Sequence, residues 1–332
     1  MLDLKSRFRG CLLGGAIGDA LGFPVEFLSI GSIKRSYGEK GICNLRVRGD
    51  NAKFSDDTQM TLFTAEGLVK AKSRGVSLKR SVYLSYLDWL KTQNESFETY
   101  GGEGLLGVPT LHSSRAPGHT CLSALRSGIE GSVSVPVNGS KGCGGVMRTA
   151  PVALFCFARG ANIQGADELS AEAAAITHGH VLGYLPSYAL NHILYGILEG
   201  KELRAAIEDA LDATRERFAY DELAEEGIKC LCKAVLLGLN KNASDEVAIS
   251  QLGGGWVAEE ALAISIYCAL KYSDDFVSAI VAAVNHDGDS DSTGAITGNI
   301  IGAYLGVESI PEEFSRPIEA RDVIIEMVDA LL

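Results

Sequence analysis

Apolar residues recur at helical spacing along most of the chain, and small residues replace large ones on two of the faces they define. Phe8 to Phe23 reads as a helix with Gly10, Gly14, Gly18 and Gly22 on one face. Glycine in a helix costs about 1 kcal/mol relative to alanine, so this face is expected to receive another backbone at close range. Gly294 to Leu305 is a second small-residue helix, with Gly294, Gly298 and Gly302 also four apart, and is its expected partner. Further helices are predicted at Leu62 to Lys72, Val76 to Lys91, Cys121 to Gly131, up to Phe157, and as two helices between Asp167 and Gly200. Others follow at Leu203 to Phe218, Asp221 to Leu239, Glu259 to Tyr272, Asp274 to Val284 and within Pro311 to Leu332. Leu28 to Lys53 reads as a loop with a short strand at Ile42 to Val47, and Ser132 to Val137 as a short extended piece. No linker, low-complexity segment or fixed repeat interrupts the pattern. It predicts one compact all-α domain over residues 1–332.

Composition sharpens this reading. Apolar residues make up 46% and aromatics 7% of 332 residues, which favours close-packed helices over a β-sandwich. The net charge of −12 argues against nucleic acid or an anionic membrane as partner. The eight cysteines form no Cys-x-x-Cys pair, and no apolar run reaches transmembrane length. The opening residues lack an apolar signal region, so a reduced cytoplasmic location is expected, and a monomer with it.

Three stretches carry chemistry. Asp287 to Thr297 holds Asp287, Asp289 and Asp291 at alternate positions, interleaved with Ser290 and Ser292, between two apolar segments. Carboxylates so close repel one another, and a hard divalent cation relieves that conflict. A solvated turn with a helix cap explains the same residues without chemistry. Ser55-Asp56-Asp57-Thr58 opens another helix, where one acid suits the dipole but two exceed what a cap needs. Ser140-Lys-Gly-Cys-Gly-Gly-Val-Met-Arg148 bares the backbone before a helix, as a phosphate cradle or as a close-packed turn. Glu26 is a lone acid after a helix, and His178 and His180 form a doublet around a glycine at a helix junction, as packed or capping residues or as part of a site. Trp256, after three glycines, is either a rim residue of a cleft or a core anchor.

The ordered set of these motifs resembles the ADP-ribosylglycohydrolase family of the dinitrogenase-reductase-activating type. The similar residues are Gly10 to Glu26, Ser55 to Thr58, Arg115 to Gly118, Gly142 to Arg148, Thr177-His178 and Gly288 to Ser292, spread from residue 10 to about 305. The resemblance implies an all-α fold, a single-domain orthogonal helix bundle with a binuclear metal site in a central cleft, holding two Mg²⁺ or Mn²⁺ ions. It puts Ser55, Asp56 and Asp57 on one side of the ions and Asp289, Asp291 and Ser292 on the other. Glu26 matches a carboxylate that approaches the metals. Ser140, Gly142, Cys143, Gly144 and Gly145 match a segment around the diphosphate and its ribose, and His178 a cleft residue. Asp287 replaces a usual glycine, and it either touches metal or caps a helix. The implied reaction is metal-dependent hydrolysis of the glycosidic bond in an ADP-ribosylated protein or a small-molecule ADP-ribose conjugate. Asp56, Asp57, Glu26 and Asp291 are the expected catalytic carboxylates. A non-catalytic ADP-ribose-binding or structural relative, and a metal-dependent phosphohydrolase, are the competing readings.

Overall fold

The computed structural model describes residues 3–49 and 51–332. Seventeen α-helices are formed among the described residues. In the first half these are α1 (Leu4–Gly22), α2 (Ile30–Tyr37), α3 (Asp56–Arg74), α4 (Leu78–Asn94), α5 (Phe97–Tyr100), α6 (His119–Arg126), α7 (Ala150–Ala158) and α8 (Ile163–Ala175). Then follow α9 (Val181–Leu198), α10 (Leu203–Arg217), α11 (Ala224–Leu239), α12 (Asp245–Ser250), α13 (Ala258–Lys271) and α14 (Phe276–Val284). The last are α15 (Ser290–Leu305), α16 (Glu312–Ser315) and α17 (Arg321–Leu331). The strands described are β1 (Val47–Arg48) and β2 (Asn51–Ala52), an antiparallel pair. The expected all-α fold is what forms. No described helix is long and apolar enough to cross a membrane.

The two glycine faces meet as their spacing predicts. A methyl group added at Gly14 would lie 2.5 Å from the Gly298 carbonyl oxygen. One added at Gly10, Gly18 or Gly22 would strike the carbonyls of Gly302, Gly294 or Ser290. The partner number falls as the residue number rises, so α1 and α15 run antiparallel with their backbones in contact. Asn299 crosses the seam to donate to the Cys11 carbonyl at 2.8 Å. This register brings the C-terminal end of α1, with Asp19 and the turn that follows, against the N-terminal end of α15. Layers of α13, α14, α9 and α3 enclose the pair. Almost every residue of α9 is buried, so its apolar surface runs all round.

Some local expectations are corrected. The Leu28 to Lys53 stretch is not a loop throughout. Ser29 caps α2 by accepting from Ser32 N, and the Asp287 carboxylate accepts from Ile30 N. Only Ile33 of this helix is buried, so it lacked an apolar stripe to announce it. The expected strand at Ile42 to Val47 is confined to Val47, which pairs with Ala52. Ser132 to Val137 forms a series of bends instead of an extended piece. The last helical segment breaks in two, with Ala320 in a left-handed conformation (φ 51°) between α16 and α17.

The seam predicts a stability effect. Gly298→Ala forces a methyl group onto the Gly14 backbone and should cost about 1–3 kcal/mol, the range for overpacking a tight core. Gly139→Ala, where nothing lies within 4 Å of the added atom, should shift stability by less than about 0.5 kcal/mol. Urea unfolding of both variants compares the two costs.

Candidate active site

The start of α3 forms one wall. Ser55 is its cap: the Ser55 hydroxyl accepts from Asp57 N at 3.2 Å, and the left-over amides need other acceptors. Asp19 supplies them from α1. It accepts from Ser55 N at 2.8 Å, from Thr58 N at 2.9 Å and from the Thr58 hydroxyl. Asp56 is steered by the Arg115 to Gly118 turn: Asp56 N donates to the Arg115 carbonyl, and Gly118 N donates to Asp56 Oδ2, both at 3.2 Å. Arg115 is clamped in turn. Its guanidinium donates to the Phe54 carbonyl and to Glu319, and Glu319 Oε1 also accepts from Phe54 N at 3.2 Å. Asp57 Oδ2 is buried without a hydrogen-bond partner among the described residues.

The start of α15 forms the facing wall. Asp289 is its cap and accepts from Ser292 N at 3.2 Å, while Asp289 N donates to the Gly254 carbonyl at 2.8 Å. Asp291 Oδ1 also accepts from Ser292 N. Thr293 is turned away, its hydroxyl donating to the Ala283 carbonyl and meeting His286 Nε2 at 2.9 Å. Asp287 is exposed and engaged with α2, so it acts as a helix cap.

The two walls and the turn after α1 converge. Asp56, Asp57, Asp289, Asp291, Ser292 and Glu26 all line one cavity of about 310 Å³. Oxygens of Glu26, Asp289 and Asp291 lie within 4.8 Å of one another. Ser55 sits behind this wall, its hydroxyl 3.4 Å from Asp57 Oδ1. The glycine segment closes another side. Gly142, Cys143, Gly144 and His178 line the same cavity. Ser140 and Gly145 brace it from behind: Ser140 Oγ accepts from Gly142 N, and a methyl at Gly145 would strike the Gly183 carbonyl. A short 3₁₀ turn at Cys143–Arg148, not the start of α7 itself, carries these residues. Cys143 Sγ donates to Asp289 Oδ2 at 2.8 Å.

Such a cluster disfavours charge. Burial, and then the Asp291 charge, push Asp19 up to about 7 and Glu26 up to about 10. The same two causes hold Asp56, Asp57 and Asp289 well above the ordinary carboxylate range. Asp291 is thus the charge felt by acids from α1, the turn after it and α3. His178 goes the other way: burial, then the Arg148 charge, lowers it to about 3, so its imidazole is neutral. The donor set fits a hard divalent cation. It is all oxygen, it is anionic, and it includes unpartnered buried oxygens on Asp57 and Glu26. Asp19 and Glu319 were not singled out as site residues because each acts through a neighbour; a buried acid inside a glycine helix was the one available signal, at Asp19.

In metal-free protein these raised carboxyls have a definite linkage sign. A folded-state pKa above the unfolded value contributes stability at low pH that is lost as pH rises. For Asp19 the loss runs from about 4 to about 7. Thermal melts of metal-free protein should therefore show stability falling across this window, and saturating Mg²⁺ should flatten the slope. A ligand at about 100 times its Kd adds about 2.7 kcal/mol, so the melting temperature should rise with Mg²⁺ or Mn²⁺ at pH 8, and Asp291→Asn should abolish that rise.

Comparisons with known proteins place the chain among relatives of one family. The chain is 25% identical over 339 residues to the ADP-ribosyl-[dinitrogen reductase] glycohydrolase of Rhodospirillum rubrum, covering 99% of this chain and 97% of that one. It is 24% identical to the human ADP-ribosylhydrolase ARH3, over 95% of this chain and 89% of the relative. A solved structure described as an ADP-ribosylglycohydrolase-related protein complex superposes with a TM-score of 0.67 at 25% identity, over 99% of this chain and 97% of the other. The sequence profile of the ADP-ribosylglycohydrolase family matches residues 1–332, and the chain belongs to that family.

Proposed function

We propose that the protein is a divalent-cation-dependent hydrolase that cleaves the glycosidic bond of an ADP-ribosylated protein or small-molecule conjugate and releases ADP-ribose. Residues 1–332 act as one catalytic unit in this reading. The observation that carries it is the convergence of Asp56 and Asp57 with Glu26, Asp289 and Asp291 in one cavity, alongside a bare-backbone segment. A non-catalytic relative would have no need to keep buried carboxylates that repel one another.

Asp56, Asp57, Asp289 and Asp291, with Glu26 and the Ser292 hydroxyl, would hold two Mg²⁺ or Mn²⁺ ions. Bound there, the ions supply positive charge and a template for the ribose hydroxyls. The protein residues do the rest. Backbone at Gly142 to Gly144 receives the diphosphate side of the substrate; methyl groups on its glycines would point at His178 behind it, and the Cys143 thiol is engaged by Asp289. Neutral His178 stands behind that segment, held by the Thr177 hydroxyl at 2.8 Å from Nδ1. The bond at ribose C1″ breaks through a cation-like transition state, which the anionic wall favours. A carboxylate among Asp56, Asp57 and Glu26 accepts the proton of the attacking water or supplies one to the departing group. Asp56 is oriented for this by Gly118 N, whereas Glu26 sits on the turn after α1 with one oxygen unpartnered.

Purified protein incubated with arginine- and serine-modified peptides and Mg²⁺ should release free ADP-ribose. Release of AMP and ribose phosphate would make it a phosphohydrolase instead. EDTA should silence the reaction and added Mg²⁺ or Mn²⁺ restore it. Asp57→Asn and Asp291→Asn should each lose activity by about 100-fold or more while remaining folded by circular dichroism; wild-type turnover by either variant refutes the site.

A further inference from the structure

Arg148 ends the glycine segment and is fully buried. Among the described residues every hydrogen-bond partner of its guanidinium is neutral: the Ala173 carbonyl at 3.2 Å, the Thr177 hydroxyl at 2.7 Å, Met60 Sδ at 3.5 Å and Cys121 Sγ at 3.3 Å. The Tyr86 ring centroid lies 4.3 Å from its central carbon, and Nε has no partner. Burying a guanidinium without a counter-charge is costly, and the charge acts on what lies beside it.

What lies beside it is His178. The Thr177 hydroxyl stands between them, 2.7 Å from Arg148 Nη2 and 2.8 Å from His178 Nδ1. A guanidinium can only donate. It therefore occupies a lone pair of the hydroxyl and leaves the hydroxyl proton to be given elsewhere. Nδ1 is the strong acceptor in reach. The other is the Cys121 sulfur, a weak acceptor that Arg148 already contacts. Were Nδ1 protonated instead, the hydroxyl proton would have only that sulfur, and the ring would turn its positive edge toward the guanidinium. Nε2 has no protein partner among the described residues, yet it is not walled in, and the ring lines the carboxylate cavity. Methyl groups built on Gly142 and Gly144 would lie 3.4 and 3.3 Å from Nε2, so the bare glycines keep the approach to this nitrogen open.

We infer that Arg148, acting through the Thr177 hydroxyl, locks His178 as the Nε2–H tautomer and aims a polarised N–H into the cavity, at an anionic oxygen of the bound ligand. Arg148 and Thr177 are positioning residues, and neither lines the cavity. Each hydrogen bond in such a chain polarises the next, so the buried charge is felt in the cavity without an ion entering it. Burial, then the Arg148 charge, hold the ring neutral. The ring therefore trades no proton near neutral pH and supplies a fixed donor. The tautomer stands apart from the proposed function; that the ligand oxygen belongs to ADP-ribose rests on it.

Protein carrying isotope-labelled histidine shows the tautomer directly. Long-range proton–nitrogen correlation spectra distinguish a protonated ring nitrogen from a bare one, and His178→Gln identifies the signal by its loss. Wild type should show Nε2 protonated and Nδ1 bare from about pH 5 to about pH 8. Thr177→Val keeps the shape without the hydroxyl, and its His178 should become a mixture of tautomers. Thr177→Ser should restore the wild-type spectrum. In calorimetric titrations with Mg²⁺ present, ADP-ribose should bind Thr177→Val about tenfold more weakly than wild type, and Thr177→Ser within about twofold of it. The Mg²⁺-induced rise in melting temperature should persist in both variants, which separates a lost donor from a damaged metal centre. A wild-type ring protonated on Nδ1, a ring that gains its second proton within that pH range, or a Thr177→Val spectrum identical to wild type overturns the relay. If Thr177→Val does not fold, the wild-type and Thr177→Ser spectra decide it. Undiminished ADP-ribose affinity in folded Thr177→Val overturns the aim at a ligand oxygen. Failure of wild type to bind ADP-ribose defeats the proposed function and not the tautomer.

Discussion

Direct contact between the backbones of α1 and α15 is the constraint on which the structure depends. Every glycine on the shared face is matched by a glycine or a small residue opposite it, because any side chain would meet a carbonyl oxygen. Interior glycines weaken an isolated helix. Here that cost is offset by dense packing in the centre of the molecule. The register then dictates chemistry: once Gly10 lies on Gly302, Gly22 must lie on Ser290. The acids that follow each of those ends have no choice but to meet.

What meets there is a surplus of negative charge. Among the described residues no arginine or lysine enters the carboxylate group; Arg115 and Arg148 are spent on Glu319, on backbone carbonyls and on Thr177. Capping relieves part of the repulsion, since Asp19, Asp56 and Asp289 each accept from backbone amides. Asp57 and Glu26 keep unpartnered oxygens. Protonation is one relief, as the raised Asp19 and Glu26 carboxyls show, and a cation bound among the oxygens is the other.

Much of this was legible from the residues. The glycine spacing of α1 and α15 was readable because it is periodic and has one physical meaning. The two acidic motifs were readable because each exceeds what a helix cap needs. Their meeting could not be read from either motif alone; their matching chemistry suggested it and the family resemblance supported it. Helix α2 escaped notice because its partners are capping groups, one of them Asp287, and not an apolar stripe. Asp287 was ambiguous for the same reason: its acceptor role depends on an amide that is remote in sequence. Trp256 was weighed as a rim residue or a core anchor, and its exposure beside the cavity decides for the rim.

The Glu319 clamp has an implication for biosynthesis. Glu319 grips Phe54 N across 265 positions of sequence, and the same carboxylate immobilises Arg115. A chain emerging from the ribosome therefore carries its first acidic motif unlocked until residue 319 has been made. Closing so long a loop is entropically slow relative to forming local helices. Local helices are free to form early, while the α1–α15 seam and the lock on the first acidic motif both wait for residues beyond 290.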